Sequence, residues 1–200
     1  MKTLLLATHN AHKVEEFRAI LALLDGAGDT FRVLSYRDVP EIPDVEETGT
    51  TFAENALLKA EAGAKLGYIT VADDSGLAVD ALGGAPGIFS ARYAGVHGDD
   101  AANNRKLLSE LDGVTDDRGA HYVCAIACVF PDGRRFTVEG TCEGEILTAQ
   151  RGEGGFGYDP LFLIPGTGKT FAEMTPEEKN SRSHRTAALK RFVAEIGAYL

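Results

Sequence analysis

The sequence predicts an α/β chain built on a mixed β-sheet. Two observations carry this reading. In the first half, short apolar and β-branched runs alternate with stretches of helical periodicity. In the second half, β runs follow one another with hairpin-turn chemistry between them, which reads as a meander. No internal repeat, low-complexity tract or long linker divides the chain. Residues 1–200 are therefore read as one domain with a sizeable core.

Thr3-Leu4-Leu5-Leu6-Ala7 is the first strand. It runs into the polar turn Thr8-His9-Asn10-Ala11-His12-Lys13 and then a helix. Val14, Phe17, Leu21 and Leu24 give that helix one apolar face, and Asp25-Gly26-Ala27-Gly28 stops it. A strand opening directly into a helix gathers phosphates, because the helix start offers free N–H groups and a positive dipole end. Thr8 and Asn10 add donors and Lys13 adds charge. Plain N-capping by Asn10 or Thr8 explains the same residues equally well.

Phe31-Arg32-Val33-Leu34-Ser35 is the second strand. Residues 40–50 form a proline-bearing acidic loop with Glu41, Asp44, Glu46 and Glu47. Thr51-Phe52-Ala53-Glu54 has capping-box spacing, and an alanine-rich helix runs to about Gly67. Phe52, Leu57, Leu58 and Ala62 are expected to face the core, with Lys59 and Lys65 pointing elsewhere. Tyr68-Ile69-Thr70-Val71-Ala72 is a short buried strand that delivers Asp73, Asp74 and Ser75 to its end, where Gly76 lets the chain turn. Adjacent carboxylates repel and resist desolvation, so a pair at the end of a core strand calls for a cation. A solvated strand end is the alternative for an isolated Asp-Asp.

Gly83-Gly84-Ala85-Pro86-Gly87 specifies a tight loop, and Asp99 or Asp100 caps a helix carrying Leu107, Leu108 and Leu111. His121 to Phe130 is a strand. Pro131-Asp132-Gly133-Arg134 turns it into Phe136-Thr137-Val138-Glu139, and Glu145-Ile146-Leu147-Thr148 extends the sheet. Arg151 to Pro160 interleaves glycines with Phe156 and Tyr158, as suits a loop closely approaching a planar ligand. Thr175-Pro176-Glu177-Glu178 starts a helix, Asn180-Ser181-Arg182-Ser183 breaks it, and a final helix packs through Leu189, Phe192, Val193 and Ile196.

Net charge is −10, which argues against nucleic acid or an anionic membrane as a partner. A small anionic ligand would need a local cationic cluster or a metal ion. The longest apolar run near the start, Leu4 to Ala7, is too short for a signal or membrane segment. Three cysteines lack framework spacing. Cys124 and Cys128 share a strand face as buried thiols, which places the protein in the reducing cytoplasm. The five histidines lack zinc spacing. Gly166-Thr167-Gly168-Lys169-Thr170 looks like the end of a P-loop, but Leu163 stands where that motif needs glycine. Ser75 has no nucleophile elbow.

Taken together, Thr8-x-Asn10-x-x-Lys13, Glu46-Glu47-Thr48-Gly49, Ala72 to Leu77, Gly83 to Gly87, Phe156-Gly157-Tyr158-Asp159 and Ser183-His184-Arg185 resemble the inosine triphosphate pyrophosphatase family, in particular its bacterial dITP/XTP branch. The likeness covers nearly the whole chain, with the motifs in order. It implies an elongated mixed sheet with flanking helices, two lobes around an active-site cleft, and a homodimer. It also implies Mg²⁺-dependent hydrolysis of ITP, dITP and XTP to the monophosphate and pyrophosphate. By motif position, Thr8, His9, Asn10, Ala11, His12 and Lys13 would bind the triphosphate. Glu46 and Asp74 would hold the metal, with Asp74 also the proton acceptor, and Ser75 would touch substrate. Phe156, Gly157, Tyr158, Asp159, Lys179, His184 and Arg185 would line the nucleotide pocket.

The chemistry of these groups suits that role. Mg²⁺ takes oxygen from one or two carboxylates plus phosphate and water. Attack at the α-phosphorus needs an in-line water, which a carboxylate can orient and deprotonate. Asp74 is assigned that task, with Asp73 as a further ligand or an outer orienting group. Lys13, Lys59 and the first helix start would offset charge on the leaving pyrophosphate. Donors at His184 or Arg185 would favour a 6-oxo purine over adenine, and Phe156 would stack on the base. Two other functions are compatible with the sequence: a pyrophosphatase for other triphosphates, and a nucleotide sensor without turnover.

Overall fold

The computed structural model describes residues 1–24 and 27–200. The Asp25-Gly26 part of the expected helix stop lies outside the described residues. Strands β1 (Lys2–Leu6), β2 (Phe31–Leu34), β3 (Ile69–Val79), β4 (Gly119–Val129), β5 (Arg135–Ile146) and β6 (Phe162–Leu163) form one sheet in the order β2-β1-β3-β4-β5-β6. β1 runs parallel to both β2 and β3, whereas β5 and β6 are antiparallel, so the sheet is mixed as expected. The helices are α1 (Ala11–Leu23), α2 (Ala27–Thr30), α3 (Phe52–Ala64), α4 (Asp100–Glu110), α5 (Pro176–Asn180) and α6 (His184–Ile196).

Contacts divide the chain into two compact units. The first comprises Met1–Asp74, Cys124–Gly140 and Arg185–Leu200; the second comprises Ser75–Val123 and Thr141–His184. In the first unit, β1 shows strand alternation directly. Leu4 and Leu6 join a core with Phe17, Val71, Ile126 and Phe192, while Leu5 and Ala7 join another with Ala56, Ala60, Ala72 and Ala127. Both faces of this part of the sheet are therefore covered. The second unit has its own core around Leu77, Leu107, Tyr122, Phe162 and Phe171. Cys124 and Cys128 are fully buried, and burial pushes each thiol up to about 12.

Four details depart from the sequence reading. β3 does not stop before Asp73 but continues through Gly76 to Val79, so the carboxylate pair lies within a strand. Phe136 to Glu139 and Glu145-Ile146 belong to one long strand, because the intervening residues keep extended backbone. β6 is a two-residue strand that has no periodic signal in the sequence. On α3, the buried face is Asn55, Ala56, Ala60, Gly63 and Ala64, while Phe52, Leu57, Leu58 and Ala62 are only half-buried. Small residues win there because the helix lies close to the sheet. A Cβ on Gly63 would come within 2.6 Å of Thr70 Cγ2. The segment at Gly166 to Thr170 is a turn, as expected, and Lys169 pairs with Glu178 at 2.9 Å.

Candidate active site

Register brings the first motif beside the carboxylates. Leu6 pairs with Val71, and the Ala7 N–H donates to the Val71 carbonyl at 2.8 Å. The polar turn therefore leaves β1 alongside the residues that precede Asp73. Asn10 caps α1, its Oδ1 accepting from the Lys13 N–H at 3.3 Å, and Thr8 Oγ1 accepts from the Asn10 N–H at 3.2 Å. Of the two, Asn10 is the cap, while Thr8 bonds the N–H of the cap residue and leaves the helix N–H groups to Asn10. Lys13, one turn into the helix, reaches Asp73 Oδ2 at 3.1 Å. His9 lies 5.8 Å from the Tyr36 ring and is exposed, as is His12, while Ala11 opens the helix.

Successive strand residues point to opposite faces, and this separates the two aspartates. Asp73 is 2 % exposed and meets Lys13 and Arg185 Nη2, each at 3.1 Å. Burial alone would raise its carboxyl, but Lys13, Arg185 and Lys59 outweigh burial and hold it well below the usual carboxylate range. Asp74 accepts from Asn55 Nδ2 at 3.1 Å, with Lys59 Nζ 3.6 Å away. Here burial, reinforced by Glu47, prevails over Lys59 and Lys13 and raises the carboxyl. Lys59 also pairs with Glu47 at 2.7 Å. Burial alone would lower its ammonium, but Asp74, Asp73 and Glu47 raise it. Asn55 accepts from the Gly49 N–H at 2.8 Å, which ties the acidic loop to Asp74. Glu46 is exposed, so among the described contacts Glu47 is the loop carboxylate linked to this cluster.

Arg185 is not presented as an open donor. It is 1 % exposed, with its guanidinium on Asp73 and Glu16. Burial would lower it, yet Asp73 and Glu16 hold it firmly protonated.

A second cluster lies within the second unit. Asp159 Oδ2 accepts from Lys179 Nζ at 2.7 Å and from the Phe156 N–H at 3.0 Å. Lys179 Nζ also lies 4.7 Å from the Phe156 ring centroid. The His184 ring stacks on Tyr122, with centroids 4.7 Å apart and planes 12° apart. The Tyr122 hydroxyl is 3.4 Å from Asp159 Oδ1, and burial first, then Asp159, raises its pKa well above the ordinary value. Tyr158 is a core residue whose hydroxyl donates to the Ser90 carbonyl at 2.7 Å. Ser75, half-buried, is the first residue of the second unit on β3.

Asp74, Glu47 and their neighbours fit a hard cation on one count. Asp74 resists ionisation because nearby positive charge does not balance its burial and Glu47, so an added cation would relieve it. No group of three or more metal-ligating side chains occurs among the described residues. Mg²⁺ takes most of its oxygens from phosphate and water.

Sequence reasoning missed Asn55, Glu16 and Tyr122. Asn55 carries one usable signal, a polar residue amid the small residues of α3; the other two carry none.

An α/β sheet with a lysine-bearing strand-to-helix turn set against a buried carboxylate pair defines a protein equipped for phosphate chemistry. The family model of the Ham1 family matches residues 4–195, and the chain belongs to that family. It is 54% identical over 194 residues to a dITP/XTP pyrophosphatase of Geobacillus kaustophilus, covering 96% of this chain and 93% of that protein. It is 53% identical over 198 residues to a dITP/XTP pyrophosphatase of Streptomyces coelicolor, covering 98% of each. The structure of the Staphylococcus aureus Ham1 protein matches with a TM-score of 0.85, 43% identity and full coverage of both chains.

Proposed function

We propose that this chain is a nucleoside triphosphate pyrophosphohydrolase. It would hydrolyse ITP, dITP and XTP at the α-phosphorus to the monophosphate and pyrophosphate, clearing non-standard purines from the nucleotide pool. The observation that carries this is the divided carboxylate pair: Asp73 held by Lys13 and Arg185 at 3.1 Å each, and Asp74, beside Asn55 and Lys59, raised above its ordinary value by burial. The names of the relatives, at over half identity across nearly the whole chain, support the substrate class. The unbroken family match over residues 4–195 supports reading the 200 residues as one catalytic domain.

In this reading Asp74 orients and deprotonates the attacking water. Lys13, Lys59 and the α1 start offset charge on the triphosphate, with Thr8 and Asn10 shaping that turn. Asp74 and a carboxylate of the Glu46-Glu47 pair would hold Mg²⁺, which when bound supplies charge neutralisation for the phosphates. Asp73 acts from outside the metal's ligand set, keeping Lys13 and Arg185 in place. Ser75 contacts substrate. Phe156, Asp159, Lys179 and His184 receive the base, where cationic and N–H donors match a 6-oxo group and leave adenine's amino group unpaired. The homodimer rests on the family resemblance alone. Cys124, Cys128 and Cys142 are free thiols, which supports the cytoplasmic assignment, and among the described residues no helix is long and apolar enough to cross a membrane.

The test is purified protein with Mg²⁺ and a panel of ITP, XTP, dUTP, ATP and GTP, scored for pyrophosphate and monophosphate. Turnover of ITP and XTP to pyrophosphate is expected. Turnover of ATP or dUTP with none of ITP would reject the substrate class, and release of orthophosphate with a diphosphate would reject attack at the α-phosphorus.

A further inference from the structure

We propose that Asp100 and Asn104 of α4 are positioning residues for base recognition: they clamp the Gly157 peptide from both sides and so fix Phe156 and Asp159. The Gly157 N–H donates to Asp100 Oδ2 at 2.7 Å, and its carbonyl accepts from Asn104 Nδ2 at 2.9 Å. Asp100 and Asn104 are four residues apart on one helix, hence on one face. Gly157 has a φ of 61°, and a Cβ there would meet nothing within 4 Å. The Asp159 N–H closes this turn on the Phe156 carbonyl at 3.2 Å, and the bonds from Asp100 and Asn104 add a hold on the left-handed residue inside it.

Gly157 lies between the two groups that matter. Phe156 precedes it, and Asp159, which takes both the Phe156 N–H and Lys179, follows it by two residues. A rotation at Gly157 would swing the ring away from the carboxylate. Asn104 is 3 % exposed, and its Oδ1 has no hydrogen-bond partner among the described residues. A buried amide with an idle acceptor is costly, which points to its donor end as the reason for its presence. The same helix is anchored on its other contacts. Asn103 accepts from the Ala94 N–H at 2.7 Å, and Lys106 donates to the Tyr93 carbonyl at 2.8 Å. The clamp thus projects from a fixed element. None of the motifs that define the base cluster includes a residue of α4. The inference rests on assigning Phe156, Asp159 and Lys179 to the purine.

The test uses full-length Asp100→Ala, Asp100→Asn and Asn104→Asp, with exposed Arg105→Ala as a helix control. Each is assayed on ITP with Mg²⁺, with inorganic tripolyphosphate as a competitor that carries no base. Asp100→Ala and Asn104→Asp should raise KM for ITP about tenfold, the loss of roughly one good hydrogen bond's worth of binding, with kcat within about threefold. Inhibition by tripolyphosphate should not change. Asp100→Asn, which keeps an acceptor, should recover most of the lost KM, and Arg105→Ala should match wild type. Asp100 is half-buried at the helix start, so its variants decide the matter should Asn104→Asp not fold. Unchanged KM, or equal weakening of ITP and tripolyphosphate together with a lower melting temperature, would overturn the proposal. Wild-type protein inert on ITP would instead reject the functional reading, and the clamp's role would fall with it.

Discussion

Asp73 and Asp74 are bonded neighbours on β3, yet their carboxyl groups are driven in opposite directions. Strand alternation sends one to Lys13 and Arg185 and the other to Asn55 and Lys59. A pair that reads as one acidic motif is two devices, a structural counter-ion and a candidate base.

Asp74→Asn therefore tests the base. The amide keeps the size and the contact with Asn55 but cannot accept the water's proton. A fall in kcat of about 10³-fold is expected, with KM within about threefold. Steady-state kinetics on ITP check it, and a variant with wild-type turnover would remove Asp74 from the mechanism.

Asp73→Asn should act on stability instead. The folded carboxyl lies below its ordinary value of 3.8, so its contribution is fully present above that pH and is lost as pH falls toward the folded value. Removing it strands two cations, at a cost of about 3 kcal/mol near neutrality. Urea unfolding of the metal-free protein from pH 7 down to pH 3 should show the gap to wild type narrowing below about pH 4. A gap that stays constant would mean Asp73 is not charge-coupled in the native state.

Much of this was legible in the residues. The alternation of early strands and helices marks the α/β class, and the Thr8 to Lys13 turn and Asp73-Asp74 mark the first cluster. What was not legible depends on tertiary approach. The Asp pair was expected at a strand end because Gly76 breaks patterns locally, yet neighbouring strands keep it extended. The large residues of α3 were expected inside, but close approach to Thr70 selects Gly63, and Ala56, Ala60 and Ala64 share its buried face. Arg185 reads in sequence as a base donor, and only folding shows it joined to Asp73 and Glu16, residues more than 100 positions away. Asn55 and Asn104 act through contacts that no local motif encodes.

Gly155→Ala addresses the base cluster. Gly155 has a φ of 71°, and a Cβ there would fall 2.1 Å from Asp159 Oδ2. The new methyl must push that carboxylate off Lys179 or move the loop. KM for ITP should rise at least about tenfold, with a smaller effect on tripolyphosphate inhibition. Wild-type KM would show that Asp159 does not need its present position for binding.

Metal dependence separates Glu46 from Glu47. Motif position favours Glu46, whereas geometry links Glu47 to Asp74 through Lys59, 2.7 Å from the former and 3.6 Å from the latter. Chelation should abolish turnover, and added Mg²⁺ should restore it. Loss of one carboxylate ligand weakens a site that has only one or two. Glu47→Gln should raise the Mg²⁺ concentration for half-maximal rate about tenfold, a size typical of losing a ligand or its supporting partner. Glu46→Gln should change it by less than about twofold. Mg²⁺ titrations of both variants at saturating ITP decide the point. An effect confined to Glu46→Gln would move the ligand to Glu46 and leave Glu47 as the partner that orients Lys59.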